Sequence, residues 1–66
     1  MENRKLKGKL LELRKTYKDG AVALGISETS FTSKINGNTS FTLPEVITLC
    51  RWLGLKNDEK IHIFLE

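Results

Sequence analysis

The sequence predicts an all-α protein, a compact bundle of about five short helices in a single domain over residues 1–66, on three observations. Apolar residues recur at helical spacing along most of the chain. Thr-x-x-acid pairs at Thr16/Asp19 and Thr42/Glu45 announce helix starts. Gly25, Asn36-Gly37 and Gly54 announce helix ends, because glycine takes the left-handed conformation that closes a helix without a Cβ clash.

Leu6, Leu10 and Leu13 fall at i, i+4 and i+7 with Lys and Arg between them, which gives a first amphipathic helix over about residues 3–15. Gly8 within it is a small cost. Thr16 then caps a second helix with Asp19 returning the bond, Ala21 and Leu24 form its apolar edge, and Gly25 stops it. Ile26 fits in the turn that follows. Ser27 caps a third helix running to about Asn36, in which Phe31 and Ile35, one turn apart, are the only large apolar residues. Glu28, Thr29, Ser30, Thr32, Ser33 and Lys34 cover the rest. A segment so rich in Ser and Thr is a poor intrinsic helix former. It exposes its hydroxyls either for recognition or as a plain solvated face.

The stretch Phe41-Thr42-Leu43-Pro44-Glu45-Val46 combines a capping box, a first-turn proline and a Phe41/Val46 hydrophobic staple, so a fourth helix begins at Leu43. Val46, Leu49, Cys50 and Leu53 form its inner stripe, and Gly54-Leu55 closes it. Asn57-Asp58 caps a last segment in which Ile61, Phe64 and Leu65 suit a helix. Ile61, Ile63 and Leu65 also alternate as a short strand would; the helix is preferred. Trp52 falls off the inner stripe, and with Ile47, Ile63 and Phe64 it forms either a partly exposed contact for a second copy or extra core.

Length and composition narrow the function classes. A chain of 66 residues and 7.5 kDa buries only about three-fifths of its surface, which excludes a two-domain enzyme with a deep cleft. One cysteine, Cys50, allows no internal disulfide, and with one histidine, His62, it cannot complete a zinc site; no metal or cofactor is expected. Cys50 reads as a buried thiol and Ser27 as a helix cap, since no base or second histidine accompanies either, so no enzymatic activity is expected. No apolar run reaches the ~18 residues of a membrane span, and no signal-peptide core opens the chain, which reads as a cytoplasmic protein. The net charge of +3 is uneven: Arg4, Lys5, Lys7, Lys9, Arg14, Lys15 and Lys18 stand against Glu2 and Glu12 in the first 18 residues. Such a basic segment points to a polyanion on one side, or else is a solvated helix face.

The second and third helices, joined by Leu24-Gly25-Ile26-Ser27, have the length and turn of a helix-turn-helix. From Tyr17 to Gly37 the chain places Ala21, Leu24-Gly25-Ile26-Ser27, Phe31 and Ile35-Asn36-Gly37 in register, and this stretch resembles the Cro/repressor (XRE-type) helix-turn-helix family. Thr42-Leu43-Pro44-Glu45 and Leu53-Gly54-Leu55 extend the resemblance to nearly the whole chain, whose size is similar to that of small phage-type regulators. The chain departs from the family at Gly20, where a bulky apolar residue is usual, and at Tyr17, which is often Gln. The glycine weakens that helix by roughly 1 kcal/mol through propensity alone.

The resemblance implies a lambda-repressor-like fold and a bacterial or phage-encoded transcriptional regulator that reads a double-stranded DNA operator with the third helix, about residues 28–36. Glu28, Thr29, Thr32 and Ser33 match the base-contacting positions. A carboxylate can accept from cytosine, and hydroxyls can bond base edges or meet a thymine methyl. Tyr17, Lys18, Lys34, Asn36, Asn38 and Thr39 are the candidates for the DNA backbone, with Arg4, Lys5 and Lys7 adding charge. Pairing of two copies on the operator, through Trp52 and the C-terminal segment, is expected on energetic grounds. The alternative is a protein-interaction module of the same fold, antitoxin-like or an anti-repressor subunit, which the absence of Arg from the reading face favours.

Overall fold

The computed structural model describes residues 3–65, the last of them in backbone only, so the expected part of the Leu65 side chain lies outside the described residues. Five α-helices follow one another: α1 (Asn3–Glu12), α2 (Tyr17–Leu24), α3 (Glu28–Ile35), α4 (Leu43–Leu53) and α5 (Asn57–Lys60). The last runs on into a π-helical turn, Ile61–Leu65. No strand occurs among the described residues, so the alternating reading of the last segment falls.

Both expected capping boxes form. The Thr16 hydroxyl accepts from the Asp19 N–H at 3.1 Å while the Asp19 carboxylate accepts from the Thr16 N–H at 2.9 Å. Thr42 and Glu45 exchange the same pair of bonds at 3.3 and 2.8 Å. The last segment differs from expectation: Lys56, not Asn57 or Asp58, takes the cap position, and the Glu59 carboxylate accepts from its N–H at 3.0 Å. Lysine has no acceptor to offer, so only half of the reciprocal arrangement exists there.

The first four helices close in one way. The second or third residue past each end donates its N–H back to a carbonyl five residues earlier: Lys15 to Leu10, Ile26 to Ala21, Asn38 to Ser33 and Leu55 to Cys50, all within 3.0 Å. This is the Schellman pattern, which requires a left-handed residue just before the donor. Gly25, Gly37 and Gly54 supply it at φ +70°, +86° and +65°. At the end of α1 the residue is Arg14, at φ +57°. The first helix therefore stops at Glu12 instead of about residue 15, and Leu13, expected on the inner stripe, is left 37% exposed. No glycine marks that end in the sequence.

The core comprises Leu6, Leu10, Ala21, Phe31, Ile35, Phe41, Leu49, Cys50, Leu53, Leu55 and Ile63. Ile63 thus belongs to the extra core, the second of the two alternatives for it; the π turn packs on α1 and carries it there. Trp52 and Phe64 are half-buried and Ile47 is exposed. At the centre, α2 lies against α3 and α4. Phe31, fully buried, holds Tyr17 on one side and Phe41 on the other, each at 5.8 Å between ring centroids. The departure at Gly20 has its reason here: a Cβ on residue 20 would stand 2.4 Å from Phe31 Cζ. The bulk expected from α2 comes instead from α3.

Candidate nucleic-acid interface

The face opposite Phe31 and Ile35 is built by helix periodicity. Residues 28, 32 and 36 stand on successive turns of α3 and its cap, with 29 and 33 beside them. Ser27 holds the start of the helix, its hydroxyl accepting from the Ser30 N–H at 3.0 Å and donating to the Ser30 hydroxyl at 3.0 Å. Those two hydroxyls are occupied by the cap. What remains is a shallow depression of about 430 Å³ lined by Glu28, Thr29, Thr32, Ser33, Asn36 and Asn38. All four expected base-reading residues are brought together there. Asn36 and Asn38, expected on the DNA backbone, line the same depression, one on the helix cap and one in the turn.

The other candidates divide. Lys18 is exposed at the start of α2, and Thr39 is exposed in the loop after α3. Tyr17 is half-buried against Phe31. Lys34 is committed within the fold: its Nζ meets Glu45 Oε1 at 3.1 Å and donates to the Ser40 carbonyl at 3.1 Å, both side chains being about five-sixths buried. Burial opposes ionisation of Glu45, but hydrogen bonds from the Thr42 N–H and from Lys34 outweigh it and hold the carboxyl below its ordinary range. In the turn after α3 the N–H groups are also engaged, since Gly37 donates to Lys34, and Asn38 and Thr39 donate to Ser33. At residues 37 to 39 the turn thus offers side chains and not N–H groups. The first-turn N–H groups of Tyr17 and Lys18 have no acceptor within the helix.

The basic segment is partly spent inside the molecule as well. Lys9 pairs with Glu59 at 2.7 Å and Glu12 at 2.9 Å. Hydrogen bonds to Glu59 and then Glu12 raise the Lys9 pKa, and the bond from Lys9 is the chief cause that lowers that of Glu59. Lys5 donates to the His62 carbonyl at 3.3 Å, and Lys15 lies over the Trp52 ring at 5.0 Å. Lys7, Arg14 and Lys18 are exposed. Burial raises the Cys50 pKa, as expected of a structural thiol.

Sequence reasoning missed Asn3. Its amide donates to the Lys34 carbonyl at 3.4 Å, its Nδ2 would stand 3.5 Å from a Cβ on residue 37, and its Oδ1 is buried without a partner. The start of α1 is thereby laid against the end of α3, and Lys7 stands one turn further along the same side of α1. A contact across 31 residues has no local signature in the chain.

Among the described residues no group of His, Cys, Asp and Glu could hold a metal ion, and no helix is long and apolar enough to cross a membrane. Comparisons with protein-family models, curated proteins and solved structures give no match.

Proposed function

We propose that this chain is a sequence-specific DNA-binding transcriptional regulator, a phage- or bacterial-type repressor acting in the cytoplasm with α3 in the major groove. One observation carries the reading. A polar depression built from Glu28, Thr29, Thr32, Ser33, Asn36 and Asn38 forms the outer face of the second helix in a two-helix unit, and Phe31 fixes that helix from behind. An α-helix presenting short hydrogen-bonding side chains fits the width of the major groove, where each base pair shows a distinct set of donors and acceptors. Thr methyl groups meet thymine, Glu28 accepts from cytosine, and the asparagine amides match adenine. Lys18 and Lys7 supply charge toward phosphates, and two copies bind two half-sites about one helical turn apart, with Trp52 and the C-terminal segment at the contact.

The test is selection from random duplex pools, with the affinity of the winner taken at two salt concentrations. Enrichment of two half-sites with a steep salt dependence is expected; about five neutralised phosphates give a slope near −4.5 in log affinity against log salt. Flat or absent binding would sink the regulator reading. It would favour a protein-interaction module, for which the internal commitment of Lys5, Lys9, Lys15 and Lys34 and the exposed carboxylate of Glu28 are the supporting observations.

A further inference from the structure

We infer that the outer groove of α4 is a docking site for an acidic amphipathic helix of a partner protein, separate from the α3 face. Helix α4 carries apolar side chains around most of its circumference: seven of its 11 residues are Leu, Val, Ile, Cys or Trp. A surface helix needs only one apolar stripe. Leu49, Cys50 and Leu53 supply that stripe to the core. On the other side Leu43 is 71% exposed and Ile47 50% exposed, one turn apart on a single line of the helix. In a domain with so small a core, two large aliphatic side chains in water forgo burial that the fold would otherwise use.

The surface beside them is concave. A groove of about 470 Å³ runs between α4, the Gly54-Leu55 turn and the end of α5, with Val46, Ile47, Cys50 and Leu55 as apolar lining and Arg51 and Lys60 as its charged residues. No acidic side chain lines it. Glu45 is turned to Lys34, and Glu59 to Lys9. The occupant must therefore bring apolar anchors and negative charge together. A second copy does not fit, because a two-fold contact sets the patch against itself and so offers its cations, Arg51 and Lys60, only another surface with the same cations and no acid. DNA phosphate matches the cations and leaves Ile47 and Leu43 in water. A lipid surface matches both but lies flat, whereas this surface is hollow. An amphipathic helix with Leu or Ile at i, i+3 or i+4, and i+7 fills a groove and carries its acids at the edge.

The probe is a synthetic helical peptide of about 18 residues with Leu at those positions and Glu elsewhere, titrated into the isotopically labelled full chain. Its partner control replaces every Glu by Lys. Expected are saturable shifts at Ile47, Arg51 and Lys60 with α3 unmoved, and affinity about tenfold weaker for the Lys peptide and for Ile47→Glu and Arg51→Glu. Both substitutions are at exposed positions, and circular dichroism checks that the variants stay folded. The inference is overturned by absence of saturable binding, by equal affinity for the Lys peptide, or by shifts confined to α3. Self-association or anionic-vesicle binding that Ile47→Glu removes, without peptide binding, overturns it too. Ile47 and Arg51 lie outside the α3 face, so DNA selection and peptide titration fail independently.

Discussion

Gly20→Ala tests the account of how α2 meets α3. Alanine is the better helix former, by about 1 kcal/mol, so propensity alone predicts a more stable protein. Geometry predicts the opposite. The new Cβ would stand 2.4 Å from Phe31 Cζ and 2.6 Å from Cε2, where carbon atoms prefer about 3.5–4.0 Å, so the ring must retreat by roughly 1 Å. It has no room: Phe31 is fully buried between Tyr17 and Phe41. Overpacking of this kind costs about 1–3 kcal/mol, which leaves a net loss near 1 kcal/mol after the propensity gain. In a domain of this size that lowers Tm by about 4–8 °C. The assay is thermal and urea unfolding followed by circular dichroism, for Gly20→Ala, Phe31→Leu and the double variant. Shortening the ring makes room for the methyl, so the double variant should be more stable than the two single losses sum to, by at least about 0.5 kcal/mol. A stabilised Gly20→Ala, or a double variant that is merely additive, would mean that no close approach of residue 20 to the Phe31 ring limits this contact.

Further outcomes follow from the helix ends and the charges. Arg14→Gly should raise stability by roughly 0.5–1 kcal/mol by relieving a left-handed arginine; a loss in the same unfolding assay would mean that its side chain matters more than its backbone. Thr16→Ala and Thr42→Ala should each cost about 1 kcal/mol and add in the double variant, whereas strong coupling would contradict independent caps. Asp19, Glu45 and Glu59 titrate below their ordinary values of 3.8, 4.5 and 4.5, so the unfolded chain takes up protons first. The stability they contribute is present above those values and is lost as pH falls from them through the lower folded-state values; urea midpoints should decline below pH 4.5, and a rise there would reverse the sign. Lys18→Ala should reduce the salt slope of DNA binding by about 0.9, while Lys34→Met should lower the unfolding midpoint and leave the slope unchanged.

Most helix limits were legible because they are decided by neighbours in the chain. A Thr and an acid three residues apart satisfy each other wherever they stand, and Gly25, Gly37 and Gly54 adopt their conformation without help from distant residues. The end of α1 was not legible, since Arg14 takes a conformation its residue type disfavours. The π turn was equally hidden; burial of Ile63 against α1 is a tertiary event. At the candidate site, the family resemblance singled out Glu28, Thr29, Thr32 and Ser33, and their helical spacing is what sets them on one face. The fate of Lys34 depended on Glu45, a residue of another helix, and so did not show in the chain.

Every core side chain among the described residues is apolar, and most of the directional bonds sit where helices begin and end, with the Lys34–Glu45 and Lys9–Glu59 pairs at the rim. Adhesion and orientation are thereby handled by different parts of the molecule. Nothing in the centre tells one greasy side chain from another of like size, so exchanges such as Leu49→Met or Ile35→Leu should shift the melting point and leave the arrangement of helices alone. Loss of several caps together should do the reverse. The interior would still cohere, but its helices would drift in length and angle, and the protein would hold helical content without a single fixed shape.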